Sequence, residues 1–391
     1  MKTELKTVGQ SIPKIGLEKR LRGEPIFSAD LKLDDPLILK VLRSIKAHAR
    51  IKKIKIEKAL QIEGVVRVFT AADIPGENRI GIINKDQPLL ADDKVRSIGE
   101  PVALVAAETE AAAEQALKAI QVTYAELPAV FSPAEALAAG APKIHEKGNL
   151  LFTRKIRKGD VEAAFKQCAA VIEKTYRTGH IEHSYLEPDA GAGYVDYDDS
   201  LVIFASTQNP HYDHKEVVSL LGLDDQQVRI IQAATGGGFG SKLDMNVQGF
   251  IGLALYHLKR PVRIVYSREE AYLATAKRHP LEMKIKTGAD RNGRLLAMQA
   301  VITCDTGSYA SYGIPVASRS AVHATGPYEI ENVDLNTHCV YTNNPFSGAM
   351  RGFGTPQMAI AHESQMDLLA GELGIDPLEI RRINMLKEGS V

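Results

Sequence analysis

The sequence has no excess of charge and few cysteines. Its 391 residues carry 48 lysines and arginines and 48 aspartates and glutamates, so the formal net charge is zero. A balanced chain without a long basic run gives no indication of a nucleic-acid partner or an acidic lipid surface. The cysteines, Cys168, Cys304 and Cys339, are odd in number and far apart. They argue against a disulfide framework or an iron–sulfur motif on this chain, and favour the cytoplasm.

Targeting and membrane segments are also lacking. The opening residues MKTELK contain no apolar signal-peptide region, and no stretch approaches the roughly 20 apolar residues of a membrane span. We also find no Gly-x-Ser-x-Gly and no His-Glu-x-x-His motif, so neither motif identifies catalytic residues of a hydrolase. Apolar residues make up 45% of the chain and charged residues 25%, as in soluble globular proteins of two or three domains.

What is present is a glycine-rich loop, residues 235–242, with the sequence TGGGFGSK. It follows a predicted strand, residues 228–234, and precedes a predicted helix, residues 245–258, whose apolar residues form one stripe. Backbone N–H groups at a helix N-terminus bind anions, because the unpaired donors and the helix dipole point the same way. A tight turn that needs positive φ is the simpler alternative.

Two nucleotide-binding motifs fail on spacing. A P-loop needs lysine directly after its last glycine, and here Ser241 separates Gly240 from Lys242. The dinucleotide fingerprint needs two residues between its second and third glycines, and here only Phe239 lies between Gly238 and Gly240. The loop is therefore predicted to hold a ligand of another kind.

A second loop of similar composition, residues 344–357, also precedes a predicted helix. Its centre is Met350-Arg351-Gly352-Phe353, and Arg351 could present its guanidinium to an oxyanion. The alternative is a helix-initiating turn with a surface arginine. Two glycine- and phenylalanine-containing loops, each before a helix, are what a large anionic organic cofactor would use.

Residues 179–189 gather two histidines and three carboxylates. A metal site is conceivable here. His180 and His183 are, however, three residues apart, whereas zinc-binding helices place two histidines four apart with a glutamate between them. We therefore favour a polar lining or hydrogen-bonding role over a metal site.

The chain divides into a polar lead-in (residues 1–20), an α/β domain (21–140) and a second domain (150–391). Small residues and a proline interrupt the hydrophobic pattern near residues 140–149. The first domain contains a continuous apolar strand, residues 102–107, and a helix capped by Thr109. The second contains a hairpin closed by Asn292-Gly293, a helix over residues 358–373, and a last helix opened by Asp376.

Taken together, several blocks resemble the molybdenum hydroxylases of the xanthine dehydrogenase and aldehyde oxidase family. No single block is specific, but their order and spacing over nearly the whole chain are. The blocks are residues 23–30, 48–50, 93–96, 99–103, 182–188, 206–210, 235–242, 278–280, 349–354 and 376–384.

The resemblance implies an α+β chain, with an N-terminal hammerhead-like α/β domain followed by the first molybdopterin-binding α+β domain. It implies a molybdopterin cofactor, expected in its cytosine dinucleotide form, whose dithiolene and not a side chain holds the molybdenum. In that family a carbon centre is hydroxylated with water, and the electrons leave through 2Fe-2S clusters and FAD. These would lie on partner subunits, because this chain has no motif for them.

Site residues follow from the same resemblance. The positions expected to contact the cofactor are Gln208, Gly237, Gly238, Phe239, Gly240, Met350 and Arg351. Arg351 and Phe353 are also expected in the catalytic region. Arg319 matches an arginine that orients substrate in purine hydroxylases, which suits an anionic or carbonyl-bearing N-heterocycle through charge-assisted hydrogen bonds.

The sequence departs from this pattern at three points. Ile181 replaces a glutamine that contacts a molybdenum ligand in xanthine dehydrogenases, and Leu243 replaces a substrate-binding glutamate. A straightforward xanthine dehydrogenase is therefore not expected, nor is a carbon monoxide dehydrogenase, since Met350 precedes Arg351 without that enzyme's cysteine loop. The family's general base, a glutamate, belongs to a C-terminal half that this sequence does not contain.

We therefore expect the larger chain of a molybdenum subunit that is split in two, acting on a nicotinate- or purine-like substrate. Its expected partners are a second molybdopterin subunit that supplies the glutamate, an iron–sulfur subunit and an FAD subunit. The alternatives are an aldehyde-oxidising enzyme, a truncated longer subunit, and a non-catalytic scaffold subunit.

Overall fold

The computed structural model describes residues 5–24 and 26–390. Its strands are β1 Leu37–Arg43, β2 Ala49–Lys55, β3 Val65–Phe69, β4 Lys94–Val95, β5 Pro101–Ala107, β6 Gln121–Glu126, β7 Leu150–Lys158, β8 Ala170–Arg177, β9 Ala190–Val195, β10 Leu201–Ala205, β11 Val228–Gln232, β12 Val262–Val265, β13 Lys277–Arg278, β14 Leu281–Ala289, β15 Leu295–Gly307, β16 Asn332–Tyr341 and β17 Ser347–Gly348. Its α-helices are α1 Leu17–Leu21, α2 Glu110–Ala119, α3 Pro133–Leu137, α4 Val161–Phe165, α5 Pro210–Leu221, α6 Gln248–Leu258, α7 Arg268–Ala274, α8 Gly313–Val322, α9 Thr355–Leu373 and α10 Pro377–Asn384. Within the described residues, no helix combines the length and the apolar character that crossing a bilayer requires.

The largest sheet contains strands from both halves of the chain. Its order is β11-β10-β9-β12-β1-β5-β3, and β1 runs parallel to β12 with Leu37 opposite Val262. One core covers the junction, with Leu39 and Leu104 from the first half packed together with Ile203 from the second. The segment near residues 140–149 is therefore a change in sequence pattern, but it does not divide this sheet.

A five-stranded sheet, in the order β7-β16-β15-β14-β8, forms the body of the second half. The predicted hairpin is confirmed as the antiparallel pair β14–β15, with Gly293 at φ 82° in its turn. Helices α8 and α9 pack on this sheet. The loops on either side of these helices are thereby fixed to a rigid platform.

Several local predictions are confirmed. Thr109 caps α2 by accepting from Ala112 N at 3.1 Å, and Asp376 caps α10 by accepting from Leu378 N at 2.9 Å. Strand β5 is buried along nearly its whole length, as its continuous apolar run predicts.

Residues 1–4 of the lead-in lie outside the described residues, and residues 5–20 are exposed and include most of the short helix α1. One prediction needs correction. Helix α6 begins at Gln248 rather than at residue 245, and it is buried on all sides from Gln248 to Leu255 rather than along one stripe. It packs between α5 and strands β9, β10 and β12, so an apolar surface is needed on every face.

Candidate active site

The glycine-rich loop is built so that only glycine fits at two of its positions. A Cβ atom on Gly238 would lie 2.5 Å from Gln208 Oε1, and one on Gly240 would lie 2.6 Å from the backbone oxygen of Ala349. Gly240 also has φ 113°, and Phe239 has φ 53°, a value that L-residues other than glycine seldom adopt. The backbone of the loop therefore lies very close to neighbouring atoms, and it also contains a strained turn.

We predicted that the loop lies at the start of α6, but it does not. The end of the loop forms a 3₁₀ turn, Ser241–Leu243, and α6 begins only at Gln248. The dipole of α6 therefore does not act on the loop. Its capacity to bind an anion comes from its own backbone donors instead.

Three consecutive N–H groups in the loop are available to a ligand. Gly236 N donates to Glu187 Oε2 at 2.7 Å, and Gly240 N donates to Gln208 Oε1 at 2.9 Å. The N–H groups of Gly237, Gly238 and Phe239, between them, have no hydrogen-bond acceptor within the described part of the chain. Successive free backbone donors form a concave site that favours an anion or an oxygen-rich group.

The second loop does lie at a helix N-terminus, as predicted. Helix α9 begins directly after Gly354, and Phe353 has φ 47°. Arg351 N donates to Phe239 O at 2.9 Å, which joins the two loops, and Arg278 Nη2 donates to Arg351 O at 3.0 Å. The backbone of Arg351 is thus held from both sides while its side chain stays exposed, with no carboxylate partner among the described residues.

The two loops enclose a cavity of about 450 Å³, which we call the loop cavity. Its lining residues are Gln208, Thr235, Gly237, Gly238, Phe239, Gly240, Leu243, Arg351 and Phe353. The lining combines the apolar side chains of Phe239, Leu243 and Phe353 with the polar groups of Gln208, Thr235 and Arg351, and none of these residues is a carboxylate. Such a surface suits a ligand that carries negative charge or many acceptor oxygens.

Most of the predicted site residues meet at this cavity, but two do not line it. Met350 contributes backbone only, since its Cα lies 3.1 Å from the position of a Cβ on Gly240. Arg319 lies on α8 with an exposed side chain, outside the lining. The remaining predicted positions form one continuous surface.

A buried ion pair, Lys242–Glu187, anchors the glycine loop at both ends. Lys242 Nζ donates to Glu187 Oε2 at 2.9 Å, to Glu187 O at 2.9 Å and to Ser206 Oγ at 2.7 Å. The same Glu187 oxygen accepts from Gly236 N. Both residues belong to blocks that carried the family resemblance, but their pairing joins segments 55 residues apart. Periodicity and spacing gave no signal for it.

One of the two histidines of residues 179–189, His183, hydrogen-bonds to the second loop. His183 Nε2 donates to Ala349 O at 2.7 Å, and burial lowers the pKa of His183, which keeps the imidazole neutral at neutral pH. Lys277 Nζ lies 2.7 Å from Glu182 Oε2. Across the described residues, no group of three or more metal-ligating side chains comes together. The favoured hydrogen-bonding role is thus what the geometry of His183 shows.

Two buried carboxyl groups lie close behind the loop cavity and were not predicted. Asp244 follows Leu243 in the chain, and one of its oxygens accepts from Ser311 Oγ at 2.7 Å. Asp213 accepts from Gln248 Nε2 at 3.0 Å. Burial raises the pKa of each to about 7. Both can therefore hold a proton near neutral pH.

The positions that depart from the family pattern lie beside the loops. Leu243 lines the loop cavity, and Ile181, 46% exposed, accepts a backbone hydrogen bond from Arg278 N at 3.0 Å. Apolar side chains stand at both positions, so neither can donate a hydrogen bond or place a charge near a substrate.

Comparison with known proteins places these features in a family. Residues 22–128 match the family model described as the aldehyde oxidase and xanthine dehydrogenase a/b hammerhead domain, and residues 144–385 match the molybdopterin cofactor-binding domain. The nicotinate dehydrogenase large molybdopterin subunit of Eubacterium barkeri is 47% identical, and the alignment covers 100% of this chain and 92% of that subunit.

Other relatives are longer. A probable xanthine dehydrogenase subunit from Bacillus subtilis is 41% identical over 94% of this chain and 49% of its own length. The aldehyde oxidoreductase structure from Desulfovibrio gigas superposes with a TM-score of 0.93 at 32% identity, covering 97% of this chain and 43% of that one. The α+β fold, a hammerhead domain followed by a molybdopterin-binding domain, is confirmed, and the chain belongs to the aldehyde oxidase and xanthine dehydrogenase family of molybdenum-dependent oxidoreductases.

Proposed function

We propose that this chain is the large molybdopterin subunit of a molybdenum hydroxylase that acts on a nicotinate- or purine-like N-heterocycle. The observation that carries the proposal is the loop cavity between the two joined loops, which is lined by the glycine-rich backbone and Arg351 and by no carboxylate. When bound, the molybdenum–pterin group supplies the oxidation itself: a C–H bond becomes C–OH with oxygen from water, and two electrons and two protons leave.

The described residues fit that cofactor. The free N–H groups of Gly237, Gly238 and Phe239, the Gln208 amide and the Arg351 guanidinium converge on one cavity. Together they would hold the oxygen-rich part of the group and stabilise negative charge there, in a site that the backbone has already ordered. The family resemblance supports the cytosine dinucleotide form of the cofactor.

A partner chain is proposed because the cavity lacks a base. Hydroxylation by water needs a group that accepts a proton, and no residue lining the loop cavity is a carboxylate. We infer that a second molybdopterin subunit supplies the general-base glutamate. Iron–sulfur and FAD subunits would then carry the electrons away, in a cytoplasmic complex.

Purification of the chain with its native partners tests this proposal. We expect molybdenum and pterin together with a second molybdopterin chain, an iron–sulfur chain and a flavin chain. A metal-free chain that purifies alone would overturn the proposal and favour the scaffold alternative.

The proposed choice of substrate rests on Arg319 through the family resemblance alone, since Arg319 does not line the loop cavity. A charge-assisted hydrogen bond to a carboxylate or ring oxygen contributes about 1.5–3 kcal/mol, so Arg319→Ala should lower kcat/KM for such a heterocycle roughly 10- to 150-fold. The turnover of a neutral aldehyde should change little. The matched control is Arg291→Ala, since Arg291 is an exposed arginine on the β14–β15 turn, away from the loops.

An aldehyde substrate is the second candidate. The close superposition on the Desulfovibrio gigas aldehyde oxidoreductase favours it. If Arg319→Ala reduces heterocycle and aldehyde turnover equally, Arg319 does not select the substrate. If only aldehydes are oxidised by the native complex, the heterocycle proposal is wrong.

A further inference from the structure

A second cavity, of about 850 Å³, shares no lining residue with the loop cavity. We call it the basic cavity, because six cationic side chains line it and only three carboxylates do. The cations are Arg50, Arg79, Lys85, Lys94, Arg96 and Lys147, and the carboxylates are Asp86, Asp93 and Glu146. Small-molecule sites in proteins typically occupy roughly 300–1,000 Å³, so the size suits an ordinary metabolite.

Half of these cations have ion-pair partners. The pairs are Arg79–Asp92 at 2.7 Å, Lys85–Glu216 at 3.3 Å and Arg96–Asp93 at 3.7 Å. In the described ranges, no carboxylate oxygen lies within 4.0 Å of the charged nitrogens of Arg50, Lys94 or Lys147. Uncompensated positive charge is therefore concentrated on one part of the wall.

Two of the uncompensated cations are held directly against each other. Strands β2 and β4 pair antiparallel, and the register places Arg50 opposite Lys94. Like charges at directly opposed positions destabilise a sheet. Arg96 adds a third charge nearby, since its Nη1 donates to Lys94 O at 3.2 Å. An anion between these side chains would turn the repulsion into attraction.

Two of the three cationic side chains, those of Lys94 and Arg96, are held by contacts within the protein. Lys94 Nζ donates to Ile144 O at 2.7 Å, and Arg96 N donates to Glu100 Oε2 at 2.6 Å. The guanidinium of Arg96 also lies over the Tyr309 ring, 5.9 Å from its centroid. These contacts order the charged groups before any ligand arrives, which lowers the entropy cost of binding.

Titrating groups around the basic cavity respond to its positive potential. Burial lowers the pKa of His145 to about 4, and Arg96 and Lys94 lower it further. Burial also lowers the pKa of Lys94, and Arg96 and Arg50 add to that effect. Burial raises the pKa of Asp86 to about 6, so Asp86 is mostly ionised at neutral pH. The lining still holds six cationic side chains against three carboxylates.

We propose that the basic cavity binds a small anionic ligand carrying phosphate or carboxylate groups, held by Arg50, Lys94 and Arg96. The basic cavity shares no lining residue with the loop cavity, so we propose it as a second site. The proposal does not depend on which substrate the loop cavity accepts.

The test uses the full chain with whatever subunits co-purify with it. Inorganic pyrophosphate and succinate are titrated separately by calorimetry at constant ionic strength. The informative variant is Arg50→Gln, because the Arg50 side chain is exposed and makes no hydrogen bond or ion pair that folding would lose. The control is Lys53→Gln, an exposed lysine on the same strand that does not line the cavity.

We expect saturable binding of at least one anion, weakened about 10-fold or more by Arg50→Gln and unchanged by Lys53→Gln. Binding of pyrophosphate alone would identify a phosphate ligand, and binding of succinate alone a carboxylate ligand. Absence of saturable binding, or an equal loss in both variants, would overturn the proposal. Circular dichroism of both variants checks that neither loss reflects unfolding.

Discussion

Replacing Lys242 with methionine should destabilise the protein strongly, because it leaves a buried carboxylate without its counter-charge. The Lys242 side chain is 0% exposed and that of Glu187 is 13% exposed. Removing one partner of a buried ion pair costs about 3–5 kcal/mol, since the remaining charge keeps its desolvation penalty. Methionine retains most of the apolar stem, so the loss should come from the charge rather than from packing.

A double-mutant cycle isolates the pair. Glu187→Gln keeps an oxygen that can accept from Gly236 N, but it leaves the fully buried Lys242 ammonium without its counter-charge, so it should also be destabilising. In the double variant Lys242→Met/Glu187→Gln, no charge is left unpaired. The two effects should therefore not add, and the interaction free energy should lie within the roughly 0.5–3 kcal/mol found for contacting residues.

The measurement is the free energy of unfolding in urea, with molybdenum content of the purified complex as a second readout. Arg177→Met is the control, because Arg177 pairs with Glu282 at 2.7 Å while the two side chains are 70% and 54% exposed. Its cost should stay below about 1 kcal/mol. A loss of similar size for Lys242→Met, or strict additivity in the cycle, would refute the reasoning.

Three further predictions concern the residues around the loop cavity. Gly240→Ala should destabilise the protein by about 2–4 kcal/mol and reduce the molybdenum content, because the new Cβ would meet Ala349 O and φ is 113°. An unchanged midpoint of urea unfolding would contradict this prediction. Burial raises the folded-state pKa of Asp244 to about 7, above its unfolded value. Stability should therefore fall by up to about 1.4 kcal/mol per pH unit as pH rises from about 4 to 7. Asp244→Asn should remove this pH dependence when the free energy of unfolding in urea is measured at several pH values. An unaltered pH dependence would show that Asp244 is not its source. Arg351→Met should lower the molybdenum content without lowering the free energy of unfolding, since the exposed guanidinium has no carboxylate partner in the described residues. A full molybdenum content would show that Arg351 does not hold the cofactor.

The sequence predicted the two loops well because their function lies in the backbone. Glycine is required where Gly238 and Gly240 approach other atoms closely, and such requirements leave a visible pattern of residues. The capped helices and the hairpin were also predictable, because caps and tight turns are determined by a few neighbouring residues. These features depend on residues that are close together in the sequence, so the sequence alone can predict them.

Other features depend on contacts between distant segments and left no pattern. The parallel pairing of β1 with β12 joins residues more than 220 positions apart, and it decides that the largest sheet crosses the predicted domain boundary. The delayed start of α6 has a local cause, which the apolar pattern did not reveal. Residues 245–247 continue an apolar pattern, yet Val247 N and Asn246 N both donate to the Gln248 side chain, which begins the helix at Gln248.

The charges around the loop cavity depend both on local sequence and on contacts between distant segments. No residue lining the cavity is a carboxylate, the nearby acidic group Glu187 is paired with Lys242, and burial raises the pKa of Asp244 and of Asp213 to about 7. Each arrangement reduces the negative charge near the loops. A surface that carries little negative charge of its own is suited to bind an anion. The same arrangement supports our proposal that a partner chain supplies the carboxylate that accepts the proton.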